Sequence, residues 1–308
     1  MKPLKNIPAS VHQRLKNAAE KSGRTFNDIA QYYALERWLF RLSKSRFAGD
    51  FILKGALLLV AWRAPVLRAT RDIDLLAKVS NDPDFVGSLV AEICETQVPE
   101  DGLLFDAASV TTERIAEDAD YEGVRARFEA RLATTRMAMQ IDMGFSDVVT
   151  PAPVTLDYPT ILDGPAPVLK TYNRETAIAE KFEAMVSLGR LNSRMKDFFD
   201  IWLLATTAEF RGEVLQAAIS ATFARRGTAM KLDPVGLSDE FGSDPVKQVQ
   251  WSAFARRIRP GPAPENLHDV IQLLREFLNP ICECMDSNKT LEALWSYPSG
   301  WKTNSSDS

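Results

Sequence analysis

Three cysteines, two histidines and no long apolar run set the first limits on this 308-residue chain. Cys282 and Cys284 are separated by one residue, poor geometry for a bridge between them, and Cys94 stands far away. An odd count with no CxxC pattern argues against a disulfide framework and against a cysteine-based zinc site. His12 and His268 lie far apart in sequence, which speaks against a histidine metal site and against Ser-His-Asp machinery. No stretch is long and apolar enough to span a bilayer. The N-terminal MKPLKNIPASVHQRLKNAAEKSG is polar and has no apolar segment of the signal-peptide kind. The expectation is therefore a cytoplasmic protein without a membrane partner. Positive charge is also short. The net charge of −4 denies a global attraction to polyanions, so a polynucleotide would need a local basic patch.

What is present is ordinary globular material, 45% hydrophobic and 25% charged, with no internal repeat. Residues 8–48 read as helical, with Ile29, Tyr32, Tyr33, Leu35, Leu39, Phe40 and Leu42 at three-to-four spacing. Phe51-Ile52-Leu53 reads as a short buried strand broken by Gly55, followed by a helix over 56–62. Asp72 to Leu76 reads as the next strand and 82–96 as a helix. Between 121 and 145 two alternating runs, divided at Ala133-Thr134-Thr135, predict a hairpin with one apolar side. A proline-rich connection over 151–167 leads to helical patterns near 174–190, 194–208, 211–226, 246–258 and 265–286, with a loop at 227–245. This order predicts an α+β fold, a mixed β-sheet lobe flanked by helices with a C-terminal helical lobe. The expected boundaries are an N-terminal helical segment over 1–48, an α/β domain over 49–172, a helical domain over 173–300 and a disordered tail over 301–308.

The residues that carry chemistry cluster around two short motifs. Asp72 and Asp74 point to one face of a strand, while Ile73 and Leu75 take the other. Two carboxylates beside a core are costly without a compensating cation, and such a pair suits a hard divalent ion such as Mg²⁺. That ion can bridge to nucleotide phosphates. Gly55, just after a strand, lets the backbone approach a phosphate closely. Asp142 lies on the polar face of its own strand, where a third carboxylate suits a second metal or a general base, or is simply solvated. On the helix near 174–190, Ile178, Lys181, Phe182 and Met185 share one stripe, so Lys181 sits on the apolar side and needs an anionic partner. Asp197 and Asp200 lie three apart on one helix face and could pair with Lys181. Arg125, Arg127 and Arg131, Arg225 and Arg226, and Arg256, Arg257 and Arg259 form local basic clusters. Each could meet RNA phosphates or serve as a solvated face or an intramolecular partner.

Together, FILKGALLL, RATRDIDLL, ETAIAEKFEAM and RMKDFFDIW resemble the AbiEii/AbiGii toxin family of type IV toxin–antitoxin systems, within the DNA polymerase β-like nucleotidyltransferase superfamily. The resemblance covers residues 28–205. It implies a nucleotidyltransferase-type fold and an enzyme that transfers NMP from an NTP, with Mg²⁺ or Mn²⁺ as cofactor. RNA, in some members the tRNA 3′ end, is the implied acceptor, and a cognate antitoxin, often a DNA-binding repressor, the implied partner. By position, Asp72 and Asp74 match the metal-binding pair. Lys54, Gly55 and Ala56 match the phosphate-facing turn. Lys181 matches the lysine expected to contact the triphosphate. Asp200, with Asp197 beside it, matches the acid of the last motif, and Arg68 and Arg71 would help position the triphosphate. The turn carries Gly55-Ala56 where the superfamily usually has Gly-Gly or Gly-Ser, so a hydroxyl contact to phosphate is missing. A non-catalytic NTP-binding regulatory module and nucleotidyl transfer to a protein side chain are the alternatives on the same motifs.

Overall fold

The long helical pattern at the N-terminus breaks where Gly23 takes the left-handed conformation (φ 67°) and closes helix α1, Ile7–Ser22. Thr25 then caps α2, Phe26–Lys44, its side chain accepting from the Asp28 amide. Such a cap contributes about 1 kcal/mol. The sequence thus yields two helices where periodicity alone predicts one. The computed structural model describes residues 6–64, 70–118, 121–258 and 263–303.

The remaining elements follow in order as β1 (Phe51–Lys54), α3 (Leu57–Ala61), β2 (Asp72–Ala77), α4 (Pro83–Cys94), β3 (Leu103–Asp118), β4 (Tyr121–Leu132), β5 (Thr135–Gly144), β6 (Val154–Asp157) and β7 (Val168–Thr171). These seven strands form one mixed sheet in the order β3-β4-β5-β2-β1-β7-β6. The predicted hairpin is β4–β5, with Leu132 opposite Thr135 across a two-residue turn. β2 lies parallel to β5 and antiparallel to β1. Ile73 and Leu75 of β2 and Met137, Met139, Ile141 and Met143 of β5 are buried on one face, where α2 packs against β5, β7, α1 and α4.

α2 also buries charge. Arg41 forks onto Asp101 at 2.6 and 3.2 Å. Glu36 pairs with Arg37 at 2.7 Å and accepts the Ile161 amide at 2.7 Å. Removal from water pushes the Glu36 carboxyl up to about 7, against the pull of Arg37.

From Tyr172 onward, joined by the segment Asp147–Pro153, the chain forms a second compact unit. It contains α5 (Arg174–Leu188), α6 (Met195–Thr207), β8 (Phe210–Arg211), α7 (Gly212–Arg226), α8 (Asp239–Ser243), α9 (Pro245–Ile258), α10 (Leu267–Asp286), β9 (Ala293–Ser296) and β10 (Gly300–Thr303). β8, β9 and β10 make a small sheet in the order β10-β9-β8. The sequence reading placed a disordered tail from residue 301. Instead Trp301 lies in β10, stacks on Phe277 (centroids 5.8 Å apart, planes 6° apart) and donates its indole N–H to the Phe277 carbonyl at 3.0 Å. Residues 304–308 lie outside the described residues.

Candidate active site

Four strands of the first unit bring one row of charged residues together. In register, Lys54 of β1 lies opposite Asp74 of β2, Asp74 beside Asp142 of β5, and Asp142 opposite Arg125 of β4. Directly opposed residues point to the same face of a sheet, so these four side chains share the face opposite the Met137–Met143 core. Asp72, two residues before Asp74, shares that face and lies beside Gln140. Both aspartates of β2 are half-buried, whereas Ile73 between them is fully buried. The apolar neighbours fix the parity of β2, and parity aims both carboxylates outward.

Gly55 ends β1 with φ +74°, in the left-handed region that favours glycine. A Cβ built on Gly55 would lie 1.8 Å from Asp74 Oδ2 and 2.5 Å from its Cγ. The Asp74 carboxylate therefore rests directly on the Gly55 backbone, in space that any side chain would take. Ala56 begins α3 with ordinary helical dihedrals and makes no side-chain cap. Lys54 is buried at the end of β1.

Asp142, the expected third ligand or general base, is engaged by Arg125. The guanidinium donates from Nε to Oδ1 and from Nη2 to Oδ2, both at 2.7 Å. The Gln140 amide donates to Oδ2 at 3.3 Å. Bidentate Arg–carboxylate pairs are among the stronger hydrogen-bonded contacts, and this one is shielded, with 27% and 15% of the side chains exposed. Its hydrogen bonds to Asp142 raise the Arg125 pKa, against partial desolvation, with Asp72 adding to the attraction. The other strand arginines are also paired, Arg127 with Glu113 at 2.7 Å and Arg131 with Glu129 at 2.5 Å.

Arg71 is exposed and lines, with Tyr32, Gln31, Asn27 and Arg136, a cavity of about 300 Å³. Arg68 lies outside the described residues.

Within the second unit, Lys181 of α5 meets both acids of α6. Its Nζ is 3.2 Å from Asp197 Oδ1 and 3.1 Å from Asp200 Oδ2. Asp200 retains 2% exposure and Lys181 17%, so this is a largely dehydrated triad in which the ammonium answers two carboxylates. Arg226 of α7 is buried among Glu183 at 2.8 Å, Asp147 at 3.0 Å and Glu180 at 3.8 Å. Burial disfavours its charge, yet Glu180, Asp147 and Glu183 outweigh that and raise its pKa. Arg226 is therefore a structural cation.

The residues suit a hard divalent cation. Asp72 and Asp74 offer oxygen donors at the right parity on a half-open face. Among the described residues, no group of three or more His, Cys, Asp or Glu side chains is placed to hold a metal ion. Mg²⁺ in nucleotide sites often takes one or two carboxylates from the protein and the rest of its shell from water and substrate phosphates.

Sequence reasoning left Arg125 open between RNA contact, a solvated face and an intramolecular pair, and did not name Asp142 as its partner. The signal was available. A two-residue turn at Ala133-Thr134 fixes the register of β4 on β5 and sets residue 125 against residue 142.

A mixed sheet with an Asp-Ile-Asp strand against a glycine turn, flanked by helices, defines a nucleotidyltransferase-type protein. A solved structure of MenT4, a nucleotidyltransferase toxin from Mycobacterium tuberculosis H37Rv, shares the fold at a TM-score of 0.50 and 12% identity, covering 92% of this chain and 99% of that one. The crystal structure of JHP933 from Helicobacter pylori aligns at a TM-score of 0.42 and 13% identity, over 82% of this chain and 89% of that one. No functionally described protein matches by sequence. The model of the AbiEii family, nucleotidyl transferase toxins of type IV toxin–antitoxin systems, matches residues 37–277. The chain belongs to that family. Membership implies an NTP substrate and a cognate antitoxin. Among the described residues, no helix is long and apolar enough to cross a membrane.

Proposed function

We propose that the chain transfers a nucleotide from an NTP to RNA, at a tRNA 3′ end, in the cytoplasm, and that a cognate antitoxin, a DNA-binding repressor, opposes it. The observation that carries this reading is the seating of Asp74 against Gly55, with Asp72 on the same face. That arrangement sets two oxygen donors on one face of a glycine turn, the Asp74 carboxylate filling the space that a side chain at residue 55 would take, which suits the counter-ion of a triphosphate.

Asp72 and Asp74 would hold Mg²⁺ or Mn²⁺, which when bound neutralises phosphate charge and favours departure of pyrophosphate. On the family resemblance, Lys54, Gly55 and Ala56 form the turn that would face the phosphates, and the buried Lys54 adds positive charge to the same row. On the family resemblance, Lys181 contacts the triphosphate, with Asp197 and Asp200 orienting its ammonium, and Arg71 and Arg68 help to position it. In the reaction the acceptor 3′-oxygen bonds to the α-phosphorus, the bond to the β-phosphate oxygen breaks, pyrophosphate leaves and the hydroxyl proton passes to solvent.

The test is incubation of the protein with each α-³²P-labelled NTP and total RNA or protein, with Asp74→Ala as control. Label on tRNA that vanishes with Asp74→Ala is the expected result. Label on protein alone would redirect the reading to side-chain modification. Retention of NTP with no transfer to either would identify a binding module and sink the enzymatic reading.

A further inference from the structure

Arg125 is one of two cations in the charged row, with Lys54 at its other end. Its planar fork occupies both oxygens of Asp142 at 2.7 Å, and the Gln140 amide takes a further lone pair of Oδ2. Asp142 stands beside Asp74 on a neighbouring parallel strand. Strands lie about 4.8 Å apart, so three carboxylates on this face could otherwise share metal ions. A guanidinium is permanently charged, fixed in geometry and more weakly hydrated than an ammonium, which suits it to a half-buried carboxylate.

We propose that Arg125 is a positioning residue that keeps Asp142 out of the metal shell, so that the site takes a single divalent cation on Asp72 and Asp74 with nucleotide phosphates completing its coordination. The inference rests on the nucleotidyl-transfer reading. It departs from a three-carboxylate site and assigns to a fixed side chain the position of a second ion. Two consequences follow from charge and ligand count. Without nucleotide, affinity for a divalent cation is low, because the two carboxylates share their row with the positive charges of Lys54 and Arg125. Loss of Arg125 raises that affinity by releasing a third carboxylate and removing a neighbouring cation.

Mn²⁺ binding to the full chain, followed by the electron paramagnetic resonance signal of free Mn²⁺, tests this without reference to turnover. Titrations are run alone and with the α,β-methylene analogues of the four NTPs. Wild type is expected to bind Mn²⁺ measurably only with an analogue present. Arg125→Gln, without analogue, is expected to bind about tenfold more tightly than wild type. The double variant Arg125→Gln/Asp142→Asn restores the net charge and should return to within about threefold of wild type. Arg127→Gln removes a cation from the same face without freeing Asp142 and should stay within about twofold. Arg125→Lys keeps the charge but loses the fork and should gain about threefold; should Arg125→Gln fail to fold, as judged by circular dichroism, this variant decides alone. Affinity in the folded Arg125 variants no higher than wild type, while wild type binds Mn²⁺ with an analogue, overturns the inference and leaves the transfer reading standing. Equal tightening in the double variant overturns it too, because Asp142 would then play no part. Absence of Mn²⁺ from every sample, analogue included, overturns the transfer reading and the inference with it.

Discussion

Replacing Gly55 by alanine adds one carbon at the most constrained point of the site. Two costs combine. A non-glycine residue at φ +74° pays roughly 1–2 kcal/mol for the left-handed conformation. The new methyl would start 1.8 Å from Asp74 Oδ2, against an ordinary carbon–oxygen contact of about 3.4 Å. The carboxylate or the β1 end must therefore yield by more than 1 Å, an overpacking cost of roughly 1–3 kcal/mol. At about 2–4 °C per kcal/mol for a chain of this size class, the melting temperature should fall by roughly 10 °C, with the chain still folded at 25 °C. Activity should suffer more than stability, because a displacement of about 1 Å in a reacting constellation costs on the order of 100-fold in rate. The assay is single-turnover transfer of α-³²P label, paired with thermal unfolding by circular dichroism. Ala56→Ser is the companion variant: it places a hydroxyl at an unstrained helical position and should leave melting within about 2 °C of wild type. A Gly55→Ala protein that melts several degrees lower yet transfers label at the wild-type rate would refute the link between glycine and acid.

Two further outcomes test the buried charges. Arg226→Leu strands Asp147, Glu180 and Glu183 without their shared cation and should cost about 3–5 kcal/mol in urea unfolding; Arg225→Ala, exposed at the preceding position, should change it by under about 0.5 kcal/mol, and similar losses for both would refute the cluster. Glu36, held near 7 in the folded state, keeps its proton after the unfolded chain has lost its own. Stability therefore falls as pH rises from about 4.5 to about 7 and is flat above, by about 3 kcal/mol; Glu36→Gln removes this dependence, and parallel unfolding curves for the two proteins from pH 5 to 8 would contradict it.

The DxD strand was legible because Ile73 and Leu75 are buried and force the acids to the other face. The β4–β5 hairpin was legible from unbroken alternation on both sides of its turn. Lys181 was placed by its helical stripe, and its contacts with Asp197 and Asp200 agree with that placement. β3 escaped for a physical reason. Its pairing with β4 shifts between Asp106 and Thr111, so the inside–outside parity along 103–118 is not constant and no period of two appears. β6 and β7 have four residues each, too few for a pattern, and the pairing that defines them is long-range. β9 lay in the stretch expected to be helical and most of β10 in the expected tail, yet aromatic contacts between Trp295, Trp301 and Phe277 hold them.

The alternation of sign along the sheet face bears on how the protein can be handled. Lys54 and Arg125 offset two of the three carboxylates Asp72, Asp74 and Asp142, so the face keeps only a small negative excess before any ion arrives. Folding should therefore not depend on metal supply. The chain is expected to keep its architecture in chelator, so that ion and nucleotide can be added back afterwards in either order.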